Sequence, residues 1–130
     1  MKKFISAKLA GNILLISLGL LLVFHVLVLL KILPAGIIWG GQANADNLLA
    51  LEITALAITL FFGFVTAAKV GYIRVGRFAG AVNVLTWIMF AYLLLNTLGN
   101  LASGVSAENF LFAPVTLIMA LCALRLAVGK

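Results

Sequence analysis

One cysteine, one histidine, three acidic residues and two prolines are all that this chain contains of those residue types. A lone Cys122 excludes an internal disulfide, and with it thiol oxidation by a Cys-x-x-Cys pair. It sits in an apolar run and reads as a small buried hydrophobe. One His and one Cys do not supply the ligand cluster that a metal site needs. No Ser/His/Asp or Cys/His set gathers at one depth. Asp46 and Glu52 are six residues apart, off one helix face. No glycine loop follows a strand to cradle a phosphate. Enzymatic chemistry is therefore not expected, and neither is a cofactor.

Charge is scarce as well. Of 130 residues, 9% are charged and 65% hydrophobic, whereas a soluble domain averages roughly 25% and 45–50%. The mean hydropathy is +1.29. So few polar residues cannot cover the outside of a water-soluble domain, so the expected solvent is lipid. Nine Lys/Arg against three Asp/Glu leave a net charge of +6. In a soluble protein that balance suggests nucleic acid. Here the basic residues stand at the ends of apolar runs, without interleaved aromatics, so nucleic acid is not an expected partner.

What is present in quantity is apolar sequence. Four runs, about 9–32, 47–70, 79–101 and 110–128, each approach the ~20 residues that cross a ~30 Å hydrocarbon core as a helix. None alternates as a barrel strand does. In lipid the backbone must bond within its own segment, so the runs are helices. Turn-rich stretches separate them: Leu33-Pro34-Ala35-Gly36 and Gly40 to Asp46, then Gly71 to Arg77, then Ala102 to Ser106. The expected fold is all-α, a single domain of four antiparallel transmembrane helices.

Lys2, Lys3, Lys8, Lys69, Arg74, Arg77, Arg125 and Lys130 fall on one side of such a bundle, and Lys31, Asp46, Glu52 and Glu108 on the other. Positive charge accumulates in the cytoplasm, so both termini are expected inside. A secretory signal is the alternative for the first run, with Ala43-Asn44-Ala45 as a cleavage site. The run exceeds the usual 7–15 residues and ends well before that site, so a retained first helix is expected.

Ionisable groups inside a membrane helix are expensive, about 2.5–3.5 kcal/mol each on insertion scales. Two qualify. His25 lies about seven residues before the end of the first run, and Glu52 about five residues into the second. The spacing predicts equal depth and permits a hydrogen bond that fastens two helices. A ligand-binding or proton-carrying role for Glu52 is the alternative. Glu52, Ala55, Thr59, Gly63 and Thr66 form one stripe, and Asn83, Thr86, Phe90, Leu93, Thr97 and Asn100 another, with Tyr92, Asn96, Gly99 and Ser103 beside it. Small and weakly polar residues are expected to face other helices. Asn96 and Asn100 fall near the depth of His25 and Glu52. Trp39, within the apolar loop Ile37 to Gly41, suits the membrane interface and is expected as an anchor there; the alternative is that the loop covers that cluster as a lid. The candidate binding residues are therefore His25, Trp39, Glu52, Asn96 and Asn100. Trp87 is read as packing, and Pro114 as tolerated near a helix start.

Pro34, Ile38-Trp39-Gly40-Gly41, Glu52, Asn96-Thr97-Leu98-Gly99-Asn100 and Pro114-Val115-Thr116 together resemble a family of small, uncharacterised four-helix bacterial membrane proteins with a Trp-Gly-Gly outer loop. The likeness spans nearly the full length. It implies the four-helix fold and a bacterial inner-membrane location, and it carries no activity. That family often has a basic residue after the two glycines, where this chain has Gln42.

The expected function is a small integral membrane protein with a structural, accessory or partner-binding role, in contact with the bilayer and with a second copy or another membrane protein. The alternative is a small-molecule binding or proton-coupled transport module centred on Glu52. Small multidrug transporters share the size and helix number and use one membrane carboxylate, on the first helix rather than the second.

Overall fold

A computed structural model describes residues 5–30, 48–102 and 108–129. All regular structure among them is helical: α1 (Ala7–Leu29), α2 (Leu48–Val70), a short 3-10 turn (Gly76–Phe78), α3 (Ala79–Ala102), a π-helical turn (Glu108–Phe112) and α4 (Ala113–Val128). All four long helices are long and apolar enough to cross a membrane.

The helix ends have local causes. Ser6 is extended and its hydroxyl accepts from Leu9 N–H at 3.1 Å, a side-chain N-cap. That cap starts α1 ahead of the continuous apolar run. At the far end of α2, Gly71 has φ +96°. Its N–H donates to Ala68 O while Tyr72 N–H reaches back to Ala67 O. This is the Schellman pattern, which needs a left-handed residue at that point. The fourth run opens with the π-helical turn, and Pro114 follows at the start of α4, where a missing N–H is tolerated. Asn109, inside that turn, donates from Nδ2 to the carbonyls of Asn100 (2.7 Å) and Leu101 (3.2 Å) at the end of α3.

The helices close into a ring: α1 packs on α2 and α4, and α3 packs on α4 and α2. The core runs through Ala10, Leu14 and Leu18 of α1, Phe62 and Val65 of α2, Met89 and Leu93 of α3, and Met119, Ala123 and Leu126 of α4. α4 is the most enclosed helix, because Ala113, Ala120, Cys122, Ala123 and Ala127 are all buried and small side chains let backbones approach. On α1 Gly11 serves the same end. A Cβ on Gly11 would stand 2.2 Å from Cγ1 of Val70, so only glycine fits between α1 and α2 there.

The outside is apolar. Leu20, Leu60, Leu95 and Phe110 are 68%, 60%, 68% and 82% exposed. Large apolar residues are exposed along all four long helices, which suits a surface that faces hydrocarbon. Trp87 belongs to this outer surface, 43% exposed and edge-on to Phe90, rather than to the packing expected of it. Of the stripes predicted to face inward, Glu52, Ala55, Thr59 and Thr66 are buried, as are Thr86, Leu93 and Thr97; Gly63, Phe90 and Asn100 are half-buried, and Asn83, at the start of the α3 row, is exposed. The row Tyr92, Asn96 and Gly99 is exposed. The buried hydroxyls of Thr59, Thr66, Thr86 and Thr97 donate to the carbonyl four residues back, which satisfies them without a neighbour.

Side chains join segments far apart in sequence. Tyr72 Oη donates to Asn12 Oδ1 (2.7 Å), and Lys69 Nζ to Asn83 Oδ1 (2.5 Å). Lys8 Nζ lies 6.0 Å from the Tyr72 ring centre, within reach of a cation–π attraction. Arg125, 3% exposed, donates from Nε to Ile5 O at 2.9 Å and from Nη1 to Gly129 O. A buried guanidinium thus ties the segment before α1 to the end of α4 through carbonyl oxygens. Cations are favoured at helix C-termini for this reason.

Candidate functional site

His25 sits four residues before the end of α1 and Glu52 four residues after the start of α2. Both are therefore ~6 Å inside their helices. His25 Nδ1 and Glu52 Oε2 share a hydrogen bond of 2.6 Å. Glu52 is fully buried, and the His25 side chain is 16% exposed. This bond from a buried carboxyl group holds the imidazole ring in one orientation. Phe24, beside His25 in sequence, packs edge-on to Phe112 with ring centres 5.1 Å apart, which links this end of α1 to α4.

A cavity of about 130 Å³ lies between the four helices at this level. α1 contributes Leu18, Leu21, Phe24 and His25, and α2 contributes Ala55, Ile58, Thr59 and Phe62. From α3 come Tyr92, Leu93, Asn96 and Asn100, and Phe112, Thr116 and Met119 complete the wall. The volume is far above the ~10–15 Å³ that admits one water. The lining is mostly apolar, with a few convergent polar groups, the composition of a small-molecule pocket.

The predicted cluster is thus brought together in part. His25, Asn96 and Asn100 all line the cavity. Glu52 does not belong to the wall; it stands behind His25 and holds it. Asn100 Nδ2 reaches Thr116 Oγ1 at 3.4 Å, and the hydroxyl oxygens of Thr97 and Thr116 stand 3.0 Å apart, so this side of the wall is braced by an α3–α4 polar contact. Asn96 is exposed. Trp39, expected as an interfacial anchor or as part of a lid, lies outside the described residues.

Sequence reasoning missed three residues. Thr116 meets Thr97 and Asn100 across the helices, and the sequence marked it only within the Pro114-Val115-Thr116 run. Asn109 caps α3, signalled only by an Asn next to an expected helix start. Arg125 was read for its sign alone, although an Arg in the last turn of a helix is a known partner for terminal carbonyls.

Comparison of the chain with protein-family models, curated proteins and solved structures finds no match.

Proposed function

We propose that this chain is an antiparallel four-span protein of the bacterial cytoplasmic membrane, with both termini inside, that binds a small molecule in the cavity between its helices. The carrying observation is the cavity of about 130 Å³ with His25 on its wall, held at 2.6 Å by a buried Glu52. Holding an imidazole in one orientation by an outer carboxylate is how binding groups are preorganised. The pairs Asn12–Tyr72, Lys69–Asn83 and His25–Glu52 support alternating helix directions. The eight basic residues on one side and three acidic residues on the other support the orientation. The role is binding rather than catalysis, and the partners are lipid and another membrane protein or a second copy, with no nucleic acid.

A second reading has its own support. Because Glu52 lies off the cavity wall, the His25–Glu52 bond is also what a structural fastener between α1 and α2 looks like, in a protein whose role is accessory.

One experiment tests the binding reading. His25 is the only histidine in the sequence, so its imidazole signals are assigned without further work. Protein carrying isotope-labelled histidine is purified in detergent and titrated with 1-hexanol. The expected result is a saturable shift of the His25 signals, lost in Ala55→Phe, which fills the cavity from α2. A shift that rises linearly, or that persists in Ala55→Phe, removes the binding reading and leaves the fastener.

A further inference from the structure

If the cavity binds a small molecule, the place where it opens tells from which phase that molecule comes. Among the wall residues only Tyr92 and Asn96 are exposed. They lie one turn apart on α3, so the opening runs along one face of that helix. Across it, Phe62 of α2 meets Tyr92 edge-on, with ring centres 5.2 Å apart. α2 and α3 are the least closely packed neighbours in the ring.

The opening is not at a helix end. Asn96 precedes the last residue of α3 by six positions and Tyr92 by ten, which is ~9 Å and ~15 Å along the axis. Ile88 and Leu95, on the same helix, are exposed and apolar. A door at this depth faces hydrocarbon rather than water.

The polar groups at the door also need explanation. Among the described residues, neither the Asn96 amide nor the Tyr92 hydroxyl has a hydrogen-bond partner. In hydrocarbon an amide without a partner costs several kcal/mol. Nothing on the wall carries a formal charge except as His25 would when protonated, and its Nδ1 is engaged by Glu52. A charged headgroup would find no free counter-charge there, and burying it would be unfavourable. The cavity is also smaller than the ~300–1,000 Å³ that encloses a drug-sized ligand. It has room for a head and its first carbons, with the rest of the chain remaining in the bilayer.

We propose that the ligand is an uncharged single-chain amphiphile with a hydroxyl head, dissolved in the membrane, which enters sideways between α2 and α3. Its hydroxyl bonds the Asn96 amide on the cavity wall, its first carbons lie against the Phe62 and Tyr92 rings, and the rest of its chain runs out between α2 and α3 into the bilayer. This rests on the binding reading above and adds the ligand class and the route.

The test uses the whole protein in phosphatidylcholine vesicles with hexadecanol that carries a diazirine near its hydroxyl. After illumination, labelled peptides are mapped by mass spectrometry. The expected label falls on the α3 segment around Tyr92 and Asn96 and on the facing part of α2, and unlabelled hexadecanol competes it away. Asn96→Leu is expected to reduce labelling by about five-fold, the worth of one hydrogen bond. Asn96→Gln is expected to retain most of it. Asn96 is exposed, so both variants keep the fold, and an unchanged melting temperature verifies this. A hexadecyl-ammonium probe of the same design is expected to give no saturable label.

Two results overturn the proposal while leaving the binding reading intact. One is hexanol shifting the His25 signals saturably with no competable hexadecanol label on α3. The other is equal labelling by the ammonium probe. Efficient disulfide linkage of two copies through Asn96→Cys, with the hexadecanol label absent, overturns it in favour of a second chain on this face. Absence of both the hexadecanol label and the hexanol shift overturns the proposal and the binding reading together.

Discussion

At the scale of single residues, the His25–Glu52 bond is the most consequential polar contact. Glu52 is fully buried, so removing either partner leaves a polar group in a medium that solvates it poorly. Glu52→Ala and His25→Ala are each expected to lower stability in detergent by about 2–3 kcal/mol. The double variant is expected to lose less than the sum, with a coupling of about 1–3 kcal/mol. Unfolding titrations of the four species measure it, and strict additivity would show that the two side chains act independently. Asn109→Ala is a smaller change. It strips the amide from two carbonyls at the end of α3 and is expected to cost about 1 kcal/mol, with faster amide hydrogen exchange confined to the last turn of that helix.

At the scale of elements, the four helices were legible because hydrocarbon demands long apolar runs and little else in a sequence produces them. Which face of each helix turns inward was legible only where polar or small residues marked it. Glu52, Ala55, Thr59 and Thr66 gave α2 such a stripe, and burial follows it. Along α3 the signal divided, because Thr86, Leu93 and Thr97 turn inward while Tyr92 and Asn96, one residue to the side, do not. In water the outer face would be polar and the choice plain. In lipid both faces are apolar, which is also why Trp87 was read as packing. Gly11 could not be singled out among twelve glycines, since its importance lies in Val70, far along the chain. Gly11→Ala is expected to destabilise the α1–α2 pair by about 1–3 kcal/mol through overpacking. Adding Val70→Ala should recover most of that loss. A melting-temperature series of the single and double variants decides it, and an unshifted Gly11→Ala would mean that the helices part without cost.

At the scale of the whole molecule, Cys122 provides a reporter that needs no engineering. It is 3% exposed in the centre of α4, and a thiol reacts only when reagent reaches it. Maleimide is expected to label native protein in detergent slowly, at a rate that rises with denaturant in step with the loss of the fold. Rapid native labelling would place α4 at the surface. The proposed orientation is tested separately on a variant with Ile73→Cys in the turn between α2 and α3. A membrane-impermeant maleimide is expected to miss that position in intact cells and to label it in inverted vesicles. The opposite pattern would reverse the inside and outside of the protein.

The bond from Arg125 to Ile5 has a consequence in time as well as in space. Its partners are 120 residues apart, and at ~5–20 residues per second a ribosome needs several seconds at least to make the second after the first. Throughout that interval the carbonyl of Ile5 must be served by water or by the insertion machinery, and the leading helix waits in the bilayer without its last neighbour. Closure of the ring is therefore a late event in biosynthesis, and a nascent chain arrested before Arg125 emerges would be an open arc of three helices.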